Sequence, residues 1–238
     1  PSMYYLEGIA TRLTERDFSM RVVIFAGGTL RPGKAVDAAI AQADLVIAAN
    51  SGTLTALHHG CTPAIVVGDF DSLGALPLEN LREQGSQILQ ANIEKDETDT
   101  ELAMQTAIDQ GATSITILGA LGGARFDHTI ANILLLAGFQ TLPIRIVDGP
   151  SICWPLHGPG SSTISGRKGD LLSLFPMTAE ASGVRTQGLY YPLRNETLYF
   201  GKPRGASNAL TEEQAEVSLE GGLLLIIFTD VEELVTQI

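Results

Sequence analysis

Short apolar runs alternate with helix-like segments along residues 21–149. Each run is nearly continuous, which is typical of a strand buried on both faces of a sheet. The alternation with helices predicts a parallel sheet flanked by helices. The predicted strands are Val22–Ala26, Leu45–Ala49, Ala64–Val67, Gln87–Gln90, Ile115–Gly119 and Ile144–Val147. The predicted helices are Ala35–Ala43, Thr53–His59, Leu78–Glu83, Thr98–Gln110 and Asp127–Leu136.

The pattern changes after Gly149. Residues 150–165 are rich in proline, glycine and serine, which predicts a linker or an entry loop. From Thr163 onward the apolar runs are short and alternating, and no helical period of useful length is present. This pattern predicts a smaller antiparallel β domain. Its predicted strands are Leu171–Phe175, Leu189–Tyr191, Thr197–Phe200, Glu216–Leu219 and Leu223–Thr229.

Composition narrows the class of protein. The chain has 238 residues, of which 45% are hydrophobic, enough for one large core or two modest ones. Its net charge is −12 with no run of basic residues, so we expect no nucleic-acid partner. Cys61 and Cys153 form no close-spaced motif, which favours a reduced, cytoplasmic location. We also expect no membrane partner, because the sequence shows neither a signal peptide nor an apolar stretch of membrane-spanning length.

The first stretch with chemical character is Gly68-Asp69-Phe70-Asp71-Ser72, which follows the third predicted strand. Side chains two residues apart on extended backbone point to the same face, so Asp69 and Asp71 would lie side by side. Two adjacent carboxylates are unfavourable unless a cation neutralises them, and oxygen ligands suit Mg²⁺. A metal site at the carboxyl end of the strand is therefore predicted, where ligands of such sheets bind. The alternative is a simple turn, which Asp and Ser also favour.

A second acidic stretch, Lys95-Asp96-Glu97-Thr98-Asp99, precedes a predicted helix. Its spacing resembles a capping box, with Asp96 as the N-cap and Asp99 in the first turn. Capping alone would explain both residues. However, this helix also begins at the carboxyl edge of the sheet, beside Asp69 and Asp71. We therefore expect Asp99 to be a metal ligand and Asp96 to be the cap.

A glycine-rich segment, Gly119 to Asp127, follows the fifth predicted strand and opens a helix. Glycines allow close approach of the backbone to a ligand, and the free N–H groups of a helix N-terminus favour an anion. Arg125 can bind phosphate oxygens through two parallel hydrogen bonds. His128 and Asn132 share one face of the helix. The alternative is a plain turn with Asp127 as the N-cap and His128 on the surface.

A possible phosphate loop, Gly28 to Ala35, follows the first strand. It nearly matches the pattern G-x-x-x-x-G-K-[ST]. However, Ala35 lacks the hydroxyl that would bind Mg²⁺, and Pro32 removes one N–H group. A P-loop kinase is therefore disfavoured, although Gly28 remains close enough to the strand end to approach a nucleotide.

Taken in order, these motifs resemble the thiamine pyrophosphokinase family. The resemblance includes the two acidic stretches and the segment from Gly122 to Asn132. It continues through Gln187-Gly188-Leu189-Tyr190-Tyr191-Pro192-Leu193 and Gly205-Ala206-Ser207-Asn208. It implies transfer of diphosphate from ATP to the hydroxyl of thiamine, giving thiamine diphosphate and AMP.

The resemblance also implies an architecture and a partner. An N-terminal extension (1–20) would precede an α/β ATP-binding catalytic domain (21–149) and a β-sandwich thiamine-binding domain (150–238). The family works as a homodimer with active sites between subunits.

The resemblance further implies roles for individual residues. Mg²⁺ would be held by Asp69, Asp71 and Asp99. Thiamine would contact Ser207 and Asn208. The catalytic groups would be Asp71, Asp96, Asp99, Arg125 and Asp127, and the proton acceptor is left open among Asp71, Asp96 and Asp99. ATP would bind at Gly28, Asn50, Ser51, Gly52, Thr98, Arg125, His128 and Asn132.

Two departures keep alternatives open. The family often has Asp-Gly-Gly where this chain has Asn50-Ser51-Gly52, and Glu where this chain has Ala209. One alternative is a pyrophosphokinase for another alcohol, such as a hydroxymethylpterin. The other is a non-catalytic protein that binds thiamine or a nucleotide.

Overall fold

The computed structural model describes residues 19–70, 78–92, 94–140 and 142–236. All but the last two residues of the predicted N-terminal extension lie outside these ranges. The strands of the first part are β1 (Arg21–Phe25), β2 (Leu45–Ala49), β3 (Ile65–Gly68), β4 (Gln87–Gln90), β5 (Ser114–Leu118) and β6 (Ile144–Asp148). The helices between them are α1 (Lys34–Ala41), α2 (Gly52–His58), α3 (Leu78–Glu83), α4 (Asp99–Asp109) and α5 (Phe126–Gly138). These elements confirm the predicted strand–helix alternation, with ends displaced by a few residues at most.

The second part consists mainly of strands. They are β7 (Ser151–His157), β8 (Gly160–Ser165), β9 (Leu171–Pro176), β10 (Glu180–Gln187), β11 (Arg194–Tyr199), β12 (Asn208–Ala209), β13 (Gln214–Leu219) and β14 (Leu223–Thr229). A short helix, α6 (Val231–Thr236), follows them.

Two sheets organise the mixed α/β fold. The larger has ten strands in the order β12-β9-β14-β7-β6-β5-β1-β2-β3-β4. The strands from β6 to β4 pair in parallel, as predicted. The strands from β7 to β12 extend the same sheet by antiparallel pairing. The smaller sheet is antiparallel, in the order β11-β10-β13-β8.

Central strand β1 shows why the apolar runs are continuous. Val22 and Ile24 pack into the core that includes residues of α4, whereas Val23 and Phe25 pack into the core that includes residues of α1 and α2. All four are at most 2% exposed. Burying an aliphatic or aromatic side chain of this size stabilises the fold by about 1.5–3 kcal/mol. Both faces of the strand therefore require apolar side chains.

The smaller sheet shares a hydrophobic core with the antiparallel half of the larger one. Leu172 of β9 and Ile226 of β14 belong to the same buried cluster as Val184 of β10 and Val217 of β13. The second part thus contributes strands to both sheets. This arrangement differs from the expected separate β domain, because four of its strands continue the sheet of the first part.

The predicted linker at residues 150–165 is wrong. β6 turns directly into β7, with Asp148 opposite Ser151, and Gly160–Ser165 forms β8. These strands were not predicted because proline and glycine are unusual within strands. The run Ile152-Cys153-Trp154 nevertheless supplies the apolar side chains of β7.

Three further differences concern the second part. The predicted strand Leu189–Tyr191 is reduced to one bridge between Leu189 and Leu210. Strand β10 was missed because its sequence, EASGVRTQ, contains a glycine and many polar residues. Helix α6 was missed because a segment of six residues is too short to show a helical period.

Among the described residues, no helix is long and apolar enough to cross a membrane.

Candidate active site

The candidate site lies at the carboxyl edge of the parallel strands. Gly27 and Gly28 follow β1, Asn50 follows β2, Asp69 follows β3, and the glycine-rich segment follows β5. Because parallel strands end at one edge of a sheet, these four connections meet there. The topology therefore brings these four connections to the edge of the sheet where the site is predicted.

Asn50 connects the two acidic stretches. Its Nδ2 donates hydrogen bonds to Oδ1 of Asp69 at 2.9 Å and to Oδ2 of Asp99 at 2.8 Å. Its backbone has a positive φ of 45°, a conformation that Asn tolerates better than most residues. Its backbone N–H donates to the carbonyl of Val67, which ties the end of β2 to β3. Asp69 and Asp99 are thus brought together on one nitrogen atom.

Asp99 is held from the other side by Lys95. The Nζ of Lys95 lies 2.6 Å from Oδ1 of Asp99, and both side chains are largely buried. The i,i+4 spacing of the two residues is a signal that could have been found in the sequence, but this pairing was not predicted. It offsets the negative charge that Asp69 and Asp99 concentrate at this edge.

The N-cap of α4 is Thr98, not Asp96. Oγ1 of Thr98 accepts a hydrogen bond from the backbone N–H of Glu101 at 3.2 Å. The correct signal was the T-x-x-E pattern of Thr98 and Glu101, which is that of a capping box. Asp96 is exposed and makes no hydrogen bond with any described residue. Asp99 lies in the first turn, as predicted.

The residues at this edge fit a magnesium site in part. Asp69 and Asp99 offer carboxylate oxygens within reach of one atom, and such oxygens are the ligands that Mg²⁺ prefers. Asp71, the third predicted ligand, lies outside the described residues. Within the described ranges, no group of three His, Cys, Asp or Glu side chains is arranged to hold a metal. The three-carboxylate site therefore stays a prediction.

A cleft of about 300 Å³ opens beside Asn50. Gly28 lies at its base, where an added Cβ would come within 2.6 Å of the carbonyl oxygen of Gly119. The close approach of these two loops thus requires glycine. Seven of the residues predicted to bind ATP line the cleft: Gly28, Asn50, Ser51, Thr98, Arg125, His128 and Asn132. Gly52 does not line it, because it begins α2 and packs against the backbone of Phe25.

Arg125, which lines this cleft, forms a two-point ion pair with Asp127. Nε and Nη2 of Arg125 donate to Oδ1 and Oδ2 of Asp127 at 2.9 and 2.6 Å. These hydrogen bonds lower the pKa of Asp127 to about 2. Asp127 is not the N-cap of α5, because the helix begins at Phe126 and Arg125 occupies the cap position.

Asn132 has a structural contact as well as a place in the cleft. It is 6% exposed, and its Nδ2 donates to the carbonyl of Ala120 at 2.8 Å. This bond holds the glycine-rich segment against α5. His128, one turn earlier on the helix, is exposed as the surface alternative predicted, and it also lines the cleft.

The phosphate-loop alternative is contradicted by the start of α1. The carboxylate of Glu233 in α6 accepts a hydrogen bond from the backbone N–H of Lys34 at 2.8 Å. Arg31 is paired with Asp148 at 2.8 Å. A protein carboxylate thus occupies the position where a phosphate loop would bind its anion.

The predicted thiamine residues lie elsewhere in the chain. Asn208 begins β12, and its Oδ1 accepts from the N–H groups of Tyr191 and Ala209 while its Nδ2 donates to the carbonyl of Tyr191. Ser207 has a positive φ of 57°, and its N–H donates to Ser173. Neither residue lines the cleft beside Asn50. A thiamine contact by these residues stays a prediction.

Comparison with known proteins gives a consistent result. The family model "Thiamin pyrophosphokinase, catalytic domain" matches residues 36–147, and "Thiamin pyrophosphokinase, vitamin B1 binding domain" matches residues 161–224. The chain is 30% identical over 186 residues to a thiamine pyrophosphokinase of Bacillus subtilis, covering 77% of this chain and 86% of that protein.

Solved structures give the same picture. The crystal structure of the Bacillus subtilis enzyme aligns with a TM-score of 0.78 and 29% identity, over 88% of this chain and 99% of that one. The thiamin pyrophosphokinase of Geobacillus thermodenitrificans aligns with a TM-score of 0.74 and 30% identity, over 89% and 98%.

Proposed function

This chain belongs to the thiamine pyrophosphokinase family, and we propose that it transfers a diphosphate group from ATP to the hydroxyl of thiamine, giving thiamine diphosphate and AMP. The observation that carries the proposal is the meeting of Asp69 and Asp99 on the amide of Asn50. It places two carboxylates beside a cleft that Arg125 and glycine backbone also line. This combination suits a polyphosphate and its counter-cation.

Each group has a proposed role at this edge. Asp69, Asp71 and Asp99 would hold Mg²⁺, which when bound neutralises charge on the ATP phosphates. Arg125 exchanges its bond to Asp127 for phosphate oxygens, since a guanidinium binds either anion through two parallel hydrogen bonds. Gly28, Asn50, Ser51, Gly52, Thr98, His128 and Asn132 form or support the nucleotide cleft.

The chemistry is attack of the thiamine hydroxyl oxygen on the β-phosphorus of ATP. The new O–P bond forms as the bond between the β-phosphorus and the α,β-bridging oxygen breaks, and AMP leaves. A carboxylate among Asp71, Asp96 and Asp99 accepts the hydroxyl proton. Positioning and fixed charge supply most of the acceleration in such transfers.

A homodimer with active sites between subunits is part of this proposal. Helix α5 begins at the cleft and exposes an apolar stripe of Phe126, Ile130 and Leu134, with Phe126 75% exposed. Exposed apolar patches of this kind mark interaction surfaces. In the second part Tyr190 and Tyr191 are also exposed, beside Asn208. A partner subunit would bring Ser207 and Asn208 to the cleft.

The division of labour and the location complete the proposal. Residues 21–149 would bind ATP, and residues 150–238 would bind thiamine as a sandwich of two sheets. Cys61 and Cys153 are both free, which supports a reduced, cytoplasmic location.

Incubation with ATP, Mg²⁺ and thiamine, followed by chromatography, tests the proposal. Equal amounts of thiamine diphosphate and AMP are expected. A parallel incubation with a hydroxymethylpterin tests the alternative substrate, which the comparisons do not favour. Tight binding of thiamine without release of AMP would instead favour the non-catalytic alternative.

A further inference from the structure

A second and larger cavity, of about 750 Å³, lies away from the carboxyl edge. Its lining includes Ser114 and Ile144, which begin β5 and β6, so it opens at the opposite end of these strands. No residue that lines it also lines the cleft beside Asn50. Its volume falls within the range of about 300–1,000 Å³ that is usual for small-molecule sites. We call it the Arg145 groove.

Arg145 belongs to the face of β6 that also carries Val147. Val147 on β6 is fully buried in the core that includes residues of α1 and α2. Arg145 precedes it by two residues and therefore points to the same face. Arg145 lines the groove together with residues of β7 and of β8 in the smaller sheet.

Arg145 carries a positive charge without a counter-charge. Its Nε donates to Oγ1 of Thr116, its neighbour in the strand register, at 3.0 Å. It makes no ion pair with any residue in the described ranges. Partial burial lowers the pKa of its guanidinium, so the position is unfavourable for the charge. An anion in the groove would compensate that cost, and the remaining N–H groups are available to bind it.

An aromatic ring and further polar groups lie beside this cation. Ile146 pairs with Cys153 in the antiparallel register, which puts Trp154 next to Arg145 on the adjacent strand. The indole Nε1 of Trp154 donates to Oγ of Ser162, which fixes the ring along the groove. His157 also lines the groove, and its Nε2 is buried without a hydrogen-bond partner among the described residues.

We propose that the Arg145 groove binds an organic anion that carries a planar ring, with its phosphate at Arg145 and its ring against Trp154. Two sources share this chemistry, a nucleotide and a thiamine phosphate. The inference does not rest on the proposed function, because it uses none of the residues of the cleft beside Asn50.

Trp154 is the single tryptophan of the chain, so intrinsic tryptophan fluorescence reports on this groove. The chain is titrated separately with AMP, thiamine diphosphate, adenosine and inorganic phosphate. AMP or thiamine diphosphate should change the fluorescence saturably, and the active compound identifies the source. Adenosine lacks the phosphate and inorganic phosphate lacks the ring. Each should therefore reach half-saturation only at concentrations at least ~10-fold higher, which corresponds to a loss of about 1.4 kcal/mol of binding free energy.

Variants assign the response to Arg145. In Arg145→Gln the half-saturating ligand concentration should rise by at least ~10-fold, because a charge-assisted bidentate contact is lost. The half-saturating concentration of Arg145→Lys should lie between those of Arg145→Gln and the unchanged chain. Arg194→Gln, an exposed arginine on β11, and Arg125→Gln in the cleft should respond like the unchanged chain. The unchanged half-saturation of Arg125→Gln separates this site from the cleft, whatever the outcome of the assay for thiamine diphosphate.

Three results would overturn the inference. The first is the absence of a saturable change with either ring phosphate. The second is an equal response in Arg145→Gln and the unchanged chain. The third is a change of oligomeric state in Arg145→Gln by light scattering without a ligand effect, which would assign the groove to a second copy of the chain. If Arg145→Gln fails to fold, Arg145→Lys and competition by inorganic phosphate replace it. A raised half-saturating concentration in Arg145→Lys and displacement of the ring phosphate by inorganic phosphate support the inference, and the absence of both overturns it.

Discussion

Asp69 and Asp99 accept hydrogen bonds from the same atom, Nδ2 of Asn50, although they lie on different loops. Two carboxylates this close repel each other, and the amide hydrogens of Asn50 together with Lys95 offset that repulsion. When a cation enters, it can take over this compensation. Asn50 therefore holds the loop that carries Asp69 and the start of α4 together.

The first prediction concerns Asn50→Asp. This change removes two hydrogen bonds and adds a third carboxylate, so the free energy of unfolding without Mg²⁺ should fall by about 1–3 kcal/mol. Thermal unfolding should show a decrease of roughly 2–4 °C per kcal/mol. Millimolar Mg²⁺ should restore part of the loss, because the added carboxylate is a further ligand.

Asn50→Ala is the matched control for this prediction. It loses the same hydrogen bonds but adds no charge, so Mg²⁺ should restore less of its stability. An equal response of both variants to Mg²⁺ would contradict the assignment of a cation to this edge.

The second prediction concerns the start of α4. Thr98→Ala removes the side-chain cap at Glu101 and should lower the free energy of unfolding by about 0.5–2 kcal/mol in urea denaturation. Thr98→Ser keeps the hydroxyl and should stay near the unchanged chain. A similar loss from Asp96→Ala would show that Asp96 is the cap after all.

The third prediction separates Asn208 from Ser207. Asn208→Ala leaves the backbone groups of Tyr191 without partners and should destabilise the fold by about 1–3 kcal/mol. Ser207→Ala removes a hydroxyl that makes no such bond and should change stability by less than about 0.5 kcal/mol. If Ser207 contacts thiamine, the alanine variant should nevertheless raise KM for thiamine. A normal KM in a stable Ser207→Ala protein would remove Ser207 from the thiamine site.

The fourth prediction concerns Arg125 and pH. The folded-state pKa of Asp127 is lowered to about 2 by its hydrogen bonds to Arg125. The contribution of this pair is therefore complete above the ordinary carboxyl pKa of about 3.9 and is lost as pH falls towards 2. Arg125→Gln should raise KM for ATP by roughly 10-fold or more, since a charge-assisted contact to phosphate is lost.

The pH dependence of that KM provides the check. Because Asp127 stays ionised throughout, the ratio of KM values between Arg125→Gln and the unchanged chain should be constant from about pH 6 to 9. A ratio that varies in this range would mean that another titrating group controls Arg125. Arg82→Gln, on the surface of α3, is the control and should leave KM unchanged.

The periodic elements of the first part were predictable because their strands are buried on both faces and their helices are amphipathic. In the second part, β8 and β10 were not, since their outward residues are serine, glycine and charged groups. The continuation of the sheet from Asp148 to Ser151 was also missed. This continuation depends on the pairing of β6 with β7, which is not visible in the sequence. Pro150 at the turn instead suggested that the sheet ends there.

At the site, the sequence predicted that Asp69 and Asp99 lie near each other but not how they are joined. The nearness of Asp69 and Asp99 followed from the rule that parallel strands end together. The bridging role of Asn50 could not be predicted, because it depends on a positive φ and on contacts 19 and 49 residues away in the chain. The bonds of Asn208 to Tyr191 were missed for the same reason, since they join residues 17 positions apart.

The most direct test measures AMP and thiamine diphosphate formed from ATP, Mg²⁺ and thiamine by Asp69→Asn and Asp99→Asn. Glu79→Gln, an exposed carboxyl change on α3, serves as the control. We expect equimolar products from the unchanged chain and the control, and a loss of turnover of about 100-fold or more in each aspartate variant. Turnover close to that of the unchanged chain in folded Asp69→Asn and Asp99→Asn proteins would contradict the account.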